Sequence, residues 1–526
     1  MTEILIRSGK DPFTPVGPES TLAQDVINTN VGNFLFAHTV HKSLSVPGTT
    51  IVSNGTLSER KPATPEDHGR INERFDRFVI PLANAFRPEF EHRLANLTTL
   101  ITGLDIPVTV VGIGAQASVD LDGEPLEAIA PTVKSFVSAV LERSASIGVR
   151  GEFTRDYLRG LGFGDTSIDV IGCPSLFLNG RDHRVHKRVE TIGADSAIAL
   201  NVTDGVRGMG EFCERHLDAY PRMNYIAQDS QALTLMLWGK EPATITDRTI
   251  PVHMDHPLYR EDRMRFFLDM WTWIDHLRTQ DFVFGTRFHG NVTALLAGTP
   301  AMLLAHDSRT VELAEYHSIP FQPVHDVSSA ATATELYEQT DLTAFNRDMP
   351  DRFDTYVRYL ERNDLTHIYT PDNENPEFDQ LVAAAIFPPP VHPLTSNGRE
   401  MASRLRWLRD GVSFEADRHS QAYRHPFPHP PRRDPGVVRA EFRSTTNARL
   451  RKLEQAQSGA GDQLESQRKE LARSKNKIER YQRRLNKQRD RIDRQRDKVA
   501  QLESELAASR RSLIYRIARR LKRHRA

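Results

Sequence analysis

The chain has 526 residues, which exceeds one compact domain and fits two lobes with extensions. Its 69 Lys and Arg balance 69 Asp and Glu, so the bulk charge favours no particular partner and no specific nucleic acid. Cys173 and Cys213 predict neither a disulfide framework nor a zinc site. The start, MTEILIRSGKDPF, lacks the apolar stretch of a secretory signal, and no run approaches the ~20 apolar residues that span a bilayer. We therefore expect a cytoplasmic protein.

Short apolar segments alternate with helical patterns between Asn33 and Tyr316. Strands are predicted, in chain order, at 49–55, 77–84, 107–116, 146–150, 167–175, 195–204 and 281–285. Helices are predicted at 91–104, 131–145, 151–162 and 263–277, the last from the strongly apolar segment RMRFFLDMWTWIDHL. Strands that alternate with helices form parallel sheets with helices on both faces. The predicted strands and helices are too many for one doubly wound sheet. The pattern predicts an α/β fold with two lobes that face each other across a cleft.

The boundary between the lobes is expected near residue 185, where NGRDHRVHKRVE is polar and lacks an apolar period. The N-terminal α/β lobe then covers 1–185, and the C-terminal α/β lobe covers 186–386. The segments FPPPVHPLTSNG and HPFPHPPRRDPG are rich in proline, which removes backbone donors and prevents regular ladders. They predict a semi-rigid linker at 387–440.

An apolar residue recurs every seven positions in the next segment, 441–509, which is typical of a coiled coil. The column consists of Leu464, Leu471, Ile478, Leu485, Ile492, Val499 and Leu506. The partner column contains several Gln and Ser residues, so the apolar seam is thin. A coiled coil that joins two chains in a homodimer and a long solvated single helix are both consistent with this pattern.

The last segment, RRSLIYRIARRLKRHRA at 510–526, holds eight Lys and Arg and no acidic residue. On a helix, Leu513, Ile514, Ile517 and Leu521 share one face, and arginines flank and oppose it. A basic amphipathic helix of this kind is typical of attachment to an anionic membrane surface. A solvated tail that binds RNA weakly, or the end of the coiled coil, is the alternative.

Polar groups at strand ends are the candidates for ligand binding, because ligands of open α/β sheets bind beyond the carboxyl ends of the strands. Gly112 and Gly114 end a predicted strand, and their small size would let backbone N–H groups approach an anion. Gln116 closes the same segment and is assigned to substrate binding with them. Arg150 also follows a strand, where an Arg either caps the fold or binds a ligand. A tight turn is the alternative for the glycine pair.

The segment GTRFHGN contains the strongest candidates for catalytic residues. Alternation along the strand would put Arg287 and His289 on the same side, with Gly285 and Gly290 relieving crowding around them. An Arg suits anions, and a His has an unperturbed pKa of ~6.5 that lets it move protons near neutral pH. A structural network that satisfies both side chains is the alternative.

The segment FVFGTRFHGNVTALLAGTPAMLLAHDSRTVELAEY resembles the signature of the polysaccharide pyruvyl transferase family, with Arg-x-His-Gly followed by a small-residue helix and Gly-x-Pro. The segments SIGVRGEFTRDYLRGLGF and IDVIGCPSLFL resemble the middle block of that family, and NTNVGNFLFAHTV resembles its opening block. The resemblance spans residues 28 to 320 in order. Two positions depart from it: many relatives have an Asp where Asn33 follows Gly32, and many have an Asp where Gly151 follows Arg150.

The resemblance implies two Rossmann-like lobes of the GT-B type. It implies transfer of a pyruvyl group from phosphoenolpyruvate to two sugar hydroxyls, which forms a cyclic ketal and releases phosphate. Arg287 and His289 match the Arg-x-His pair and are assigned catalytic roles, while Arg150, Gly32 and Asn33 are assigned to substrate binding. We expect no cofactor beyond the phosphoenolpyruvate donor and no metal.

The acceptor is expected to be a cell-envelope glycan or a lipid-linked sugar, in line with exopolysaccharide biosynthesis. The protein would then lie at the inner face of the membrane, with its basic tail on the lipid surface. Two other functions fit the sequence. One is a GT-B glycosyltransferase that uses a nucleotide sugar, and the other is a non-catalytic member that binds a glycan or acts as a scaffold.

Overall fold

The computed structural model describes residues 2–116, 124–242, 245, 247–328, 330–394, 475, 482–484, 486–491 and 493–511. The chain divides into two compact units, Met1–Pro428 and His429–Ala526. The sheets, the apolar core and the site described below all belong to the first unit.

The first half of this unit is a parallel α/β arrangement. Its strands are β1 (Thr2–Ile6), β2 (Thr49–Ser53), β3 (Arg77–Pro81), β4 (Asn84–Phe86), β5 (Val108–Val111), β6 (Gly114–Ala115), β7 (Ile147–Val149) and β8 (Ile168–Val170). Its helices are α1 (Pro18–Gln24), α2 (Asn33–Leu44), α3 (Pro65–Arg74), α4 (Glu91–Thr102), α5 (Glu124–Leu141) and α6 (Glu152–Gly160). The sheet order is β2-β1-β3-β5, and a parallel bridge between Ile113 and Val149 continues it to the pair β7-β8.

The second half has a six-stranded parallel sheet of order β11-β10-β9-β12-β13-β14. Its strands are β9 (Ile198–Asn201), β10 (Asn224–Ala227), β11 (Met264–Phe266), β12 (Phe282–Gly285), β13 (Ala301–Ala305) and β14 (Phe321–Pro323). Its helices are α7 (Met209–Ala219), α8 (Ser230–Trp238), α9 (Pro257–Arg260), α10 (Met270–Arg278), α11 (Phe288–Leu296), α12 (Ser308–His317), α13 (Ala333–Gln339), α14 (Thr343–Arg362) and α15 (Pro376–Ala384). The predicted α/β fold with parallel sheets is confirmed.

The strands are apolar along their whole length because both faces of each sheet are covered by helices. Every residue of β5, β9, β12 and β13 is buried. One apolar core joins residues of the first sheet, such as Ile4 and Val111, to residues of the second, such as Leu200 and Phe284. The two sheets therefore share a core on one side, and the first sheet has a separate core under α4 and α5.

The chain returns to the first sheet after β14. On α14, the Tyr356 hydroxyl donates to Ser43 Oγ over 3.1 Å, and the Tyr359 hydroxyl donates to the Val110 carbonyl over 2.5 Å. Val391 then pairs with Phe266 at the edge strand β11 through two backbone hydrogen bonds. The first residues of the predicted linker are thus packed on the second sheet, and the predicted boundary near 185 lies between β8 and β9.

Two local predictions are wrong. The segment 263–277 was expected to be one helix, but β11 occupies Met264–Phe266 and α10 begins only at Met270. The Asp269 side chain accepts from Thr272 N over 2.8 Å and caps α10, which starts the helix there. The pattern also failed to predict β1, which lies between β2 and β3 in the first sheet.

Residues 482–484, 486–491 and 493–511 are helical and exposed, which fits both a coiled-coil strand and a solvated single helix. Val499 and Leu506 of the apolar column are about half exposed within the single chain. Pairing of this helix with a second copy stays a prediction. The apolar face of the tail, from Leu513 onward, lies outside the described residues. In the part of the chain that the structure describes, every helix is too short or too polar to serve as a bilayer span.

Candidate functional site

A cavity of about 840 Å³ opens where loops of the two sheets meet. Its lining comes from residues that follow the carboxyl ends of strands, as expected for parallel α/β sheets. The lining residues used below are Asn33, Arg87, Arg150, Asp204, Asp229, Arg287, His289 and Arg309. The cavity thus brings together the predicted site residues Asn33, Arg150, Arg287 and His289, and it adds others that the sequence did not single out.

His289 lies in the first turn of α11, with its ring against the first half of the molecule. Its Nε2 is 3.9 Å from Cys173 Sγ, and its ring centroid is 5.8 Å from that of Phe36. Burial, followed by the charges of Arg150 and Arg309, holds the pKa of His289 well below its ordinary value. The imidazole is therefore neutral near pH 7.

Arg150 is nearly inaccessible, with 2 % of its surface exposed. Its Nε donates to the Gly112 carbonyl over 2.8 Å, and its Nη2 is 3.8 Å from Cys173 Sγ. Burial lowers the pKa of Arg150, and the nearby charge of Arg309 acts in the same direction. Within the described residues this guanidinium forms no ion pair within hydrogen-bond distance, and the charge of Glu312 acts on it through space.

Two further guanidinium groups reach the same end of the cavity. Arg87 follows β4 and Arg309 begins α12, and the Nε atoms of both are buried without a hydrogen-bond partner among the described residues. Asn84 lies between them: its amide oxygen, in the orientation that satisfies its neighbours, is 3.0 Å from Arg87 Nη1 and 3.2 Å from Arg309 Nη1. Burial and then Arg309 lower the pKa of Arg87. Arg309 also pairs with Asp307, whose Oδ2 lies 3.0 Å from Arg309 Nη2. Crowded guanidinium groups with free Nε donors favour an anion site.

Arg287 has a different environment from the one predicted. It is the N-cap residue of α11, and its Nη2 donates to Asp229 Oδ2 over 2.6 Å while its Nε donates to the Val202 carbonyl over 2.9 Å. Asp204 is also near, with Oδ2 4.0 Å from Arg287 Nη2. The guanidinium is therefore largely matched by carboxylates of the second half, whereas the sequence suggested that it would hold the charge of a ligand.

The predicted strand alternation of Arg287 and His289 is wrong. Strand β12 ends at Gly285 and α11 begins at Phe288, so both residues lie at a strand-to-helix turn. Successive residues of such a turn diverge, and Arg287 bonds to Asp229 while His289 faces Cys173. Both line the cavity, but the structure groups His289 with the buried arginines of the first half.

The carboxylates beside Arg287 make the opposite end of the cavity acidic. Burial and the charge of Asp229 raise the pKa of Asp204 to about 6, against the opposing effect of Arg287. Asp229 also caps α8, since its Oδ1 accepts from Ala232 N over 2.8 Å. The cavity therefore has a basic end at Arg87, Arg150 and Arg309, and an acidic end at Asp204 and Asp229.

The glycine pair does not have the role predicted for it. The Gly112 amide donates to the Gly148 carbonyl over 2.9 Å, and the Gly114 amide donates to the Ala83 carbonyl over 2.7 Å. Both N–H groups are used within the fold, so they are not available to an anion. Gly114 instead makes room for Arg150, because a Cβ on Gly114 would lie 3.0 Å from Arg150 Cδ, whereas a Cβ on Gly112 would lie 2.9 Å from Pro174 Cδ.

The remaining predicted positions support the site from behind or line it. Gly32 packs under His289, where a Cβ would lie 2.8 Å from the imidazole Nδ1. Asn33 lines the cavity, and its Nδ2 donates to two carbonyls of its own loop over 3.0 Å each. The Gln116 side chain contacts the amide of Asn84. Gln116, Gly32 and the glycine pair are thus neighbours of lining residues.

Arg87, Arg309 and Cys173 were missed at the sequence level. Arg309 lies in the first turn of α12, four residues after the end of β13, and an arginine close behind a strand was a usable signal. Arg87 follows a three-residue strand with no periodic pattern. Cys173 is fully buried, and nothing local to it indicates that Arg150 and His289 converge there. Among the described residues, no cluster of three or more His, Cys, Asp or Glu is arranged to hold a metal ion.

Comparison with known proteins shows which families and solved structures the chain resembles. No curated protein gives a significant match. Solved structures that resemble the chain include UDP-GlcNAc 2-epimerase of Methanocaldococcus jannaschii, with 9 % identity, 69 % of this chain and 99 % of that chain covered, and a TM-score of 0.37. Anabaena HepE in complex with UDP and glucose has 13 % identity, coverages of 69 % and 98 %, and a TM-score of 0.36. MnaA of S. aureus has 10 % identity, coverages of 74 % and 99 %, and a TM-score of 0.33.

These likenesses are too distant to carry an argument about activity. The match to a protein-family model bears directly on the site. The matched range includes Arg150, Arg287 and His289 together with the loops that hold them. The family model bears the description polysaccharide pyruvyl transferase. The resemblance seen at the Arg-x-His block is thus borne out over part of the chain: residues 92–308 match the family model described as polysaccharide pyruvyl transferase.

Proposed function

We propose that the protein transfers a pyruvyl group from phosphoenolpyruvate to two hydroxyls of a sugar in a cell-envelope glycan, with release of phosphate. The observation that carries this proposal is the set of three guanidinium groups, Arg87, Arg150 and Arg309, around the neutral imidazole of His289. Phosphoenolpyruvate has a carboxylate and a phosphate on a three-carbon frame. Planar guanidinium groups suit both anions, and the basic end of the cavity offers several of them.

The reaction requires that two sugar oxygens form bonds to C2 of the donor, that C3 becomes a methyl group, and that the bond from C2 to the phosphate oxygen breaks. The two hydroxyl protons leave the sugar, and one ends on C3 and the other on phosphate. His289 is the group at the basic end that can carry these protons, because a neutral imidazole accepts one and its protonated form donates it. The guanidinium groups stabilise the charge of the departing phosphate.

The acidic end of the cavity supports the acceptor part of the proposal. Asp204 and Asp229 provide acceptor oxygens for sugar hydroxyls, and an anionic donor is disfavoured there by like charge. The donor would therefore bind at Arg87, Arg150 and Arg309, and the sugar would enter from the side of Arg287. We further propose that the acceptor is a lipid-linked sugar at the inner face of the membrane, reached through the basic tail, and that phosphoenolpyruvate is the sole small-molecule donor.

The test is phosphate release from phosphoenolpyruvate in the presence of envelope glycan, compared with a panel of nucleotide sugars. Release that requires both donor and glycan, together with a pyruvate-sized mass added to the glycan, is the expected result. Turnover of a nucleotide sugar instead would identify a glycosyltransferase. Ligand-induced stabilisation by glycan without any phosphate release would identify a binding or scaffold protein. Loss of the pyruvate-sized mass from the glycan of a deletion strain would identify much of the acceptor.

A further inference from the structure

A buried carboxylate from the second half of the molecule caps a helix of the first half. Glu312 lies on α12 with 6 % of its surface exposed. Its Oε1 accepts from the backbone N of Thr154 over 2.8 Å, and its Oε2 accepts from Thr154 Oγ1 over 3.2 Å. Thr154 is in the first turn of α6, and the N-cap residue Gly151 offers no side chain for this purpose. Glu312 therefore supplies the acceptor that the helix start lacks.

The space at Gly151 is filled by the same carboxylate. A Cβ built on Gly151 would lie 2.2 Å from Glu312 Cγ and 2.7 Å from Glu312 Oε1. Any side chain at 151 would collide with Glu312, so the two residues are complementary. The carboxylate beside Gly151 thus comes from a residue 161 positions further along the sequence.

The contact joins the two elements that carry the arginines of the basic end. Arg150 directly precedes Gly151, and Arg309 lies three residues before Glu312 on α12. Thr154 Oγ1 also accepts from the backbone N of Ala115 over 3.1 Å, which ties β6 to the same point. Since Arg150 and Arg309 repel each other, an anchor between their elements is needed to hold them around one anion.

We propose that Glu312 is a positioning residue that holds Arg150 and Arg309 at the spacing required for binding a phosphate-bearing anion, in place of a carboxylate at position 151. The proposal rests on the function proposed above for the basic end of the cavity. It assigns no contact between Glu312 and the ligand, since Glu312 acts through the position of α6 and α12.

The experiment compares Glu312→Ala, Glu312→Gln and the double variant Gly151→Asp/Glu312→Ala in the full-length protein. Binding of phosphoenolpyruvate and of inorganic phosphate is measured by calorimetry, and KM and kcat are measured separately. Glu312→Ala should weaken binding of both anions by about 10-fold to 100-fold, and it should raise KM more than it lowers kcat. Glu312→Gln retains the acceptor oxygen and the shape, so it should stay within about 3-fold of the wild type.

The double variant moves the carboxylate to position 151 and should recover affinity to within about 3-fold. Asp67→Ala is the matched control, because Asp67 is a buried carboxylate that accepts from Thr64 and caps α3 away from the cavity. It should lower the melting temperature without changing anion affinity.

Three results would overturn the proposal. The first is Glu312→Ala with wild-type affinity, and the second is a double variant as weak as Glu312→Ala. The third is a wild type that binds neither anion, which would also remove the proposed function. A wild type that binds phosphoenolpyruvate, with Glu312→Ala weaker, but that never transfers pyruvate would support the positioning role while removing the proposed reaction.

Discussion

Replacement of Arg150 by Met is expected to weaken donor binding without destabilising the fold. The side chain is 2 % exposed and forms no ion pair among the described residues, so the folded protein holds a buried charge without a directly contacting carboxylate. Its guanidinium donates one hydrogen bond to the Gly112 carbonyl, makes one weak contact to Cys173 Sγ, and lies 5.8 Å from the centroid of the Phe36 ring. Met fills the volume of the aliphatic part and carries no charge.

The expected free-energy changes indicate that Arg150→Met is at least as stable as the wild type. A hydrogen bond from a charged group contributes about 1.5–3 kcal/mol to stability, and the substitution removes one of them. Burial of a charge without a partner costs several kcal/mol, and the substitution removes that cost as well. The free energy of unfolding should therefore stay constant or rise by about 1–3 kcal/mol. Loss of one charge-assisted bond to the donor, at 1.4 kcal/mol for each factor of ten, should weaken phosphoenolpyruvate binding about 10-fold to 150-fold.

Urea denaturation measures the first quantity, and calorimetric titration with phosphoenolpyruvate measures the second. Arg143→Met is the matched control. The Arg143 guanidinium donates to the Leu104 carbonyl over 2.6 Å and to the Thr102 carbonyl over 2.9 Å, and it pairs with Glu142 away from the cavity. The control should lose stability and keep donor affinity. A large loss of stability in Arg150→Met with unchanged donor affinity would refute the reasoning and make Arg150 a structural residue.

Four further outcomes are expected. His289→Gln should lower phosphate release from phosphoenolpyruvate by roughly 10²–10⁴-fold with an unchanged circular dichroism spectrum, and near-normal turnover would remove His289 from catalysis. Arg287→Lys should lower the free energy of unfolding by about 1–3 kcal/mol in urea, because an ammonium cannot hold both Asp229 and the Val202 carbonyl; unchanged stability would contradict the pairing. The pKa of His216 is about 4 against its ordinary 6.5, so its contribution to stability is complete above pH 6.5 and is lost as the pH falls toward 4. The protein should thus be less stable at pH 5 than at pH 7, and the difference should shrink in His216→Phe. A chain ending at Ser509 should not float with anionic liposomes that bind the full chain at low salt, and equal flotation of both would exclude the tail as the anchor.

Much of the fold followed from local patterns. Strands such as β5 and β12 are buried on both faces, so their apolar residues form short continuous runs that can be recognised without any partner. Strand β1 carries a similar run, but it stands near the start of the chain without the preceding helix that makes an alternating pattern visible. The error at 263–277 has a related cause. β11 and α10 are both apolar, and only the cap at Asp269 separates them.

The sequence predicted those site residues that are Arg or His and lie just behind a predicted strand. Arg150, Arg287 and His289 were found in this way, and all three line the cavity. Their partners were not found, because short polar loops have no period that indicates what they will meet. Asp229 lies 58 residues before Arg287, and no feature of either segment predicts that the two form an ion pair.

The sequence by itself determined the α/β class, the family block around Arg287 and His289, and the presence of an arginine after β7, because these depend on apolar runs and on motifs within a few residues. The tertiary structure alone decided which charges compensate one another. It matched Arg287 with Asp229, brought Arg150 and His289 together at Cys173, and filled the gap at Gly151 with Glu312. The physical reason is that electrostatic pairing acts through space over a few ångströms, whereas the residues involved are separated by tens to hundreds of positions along the chain.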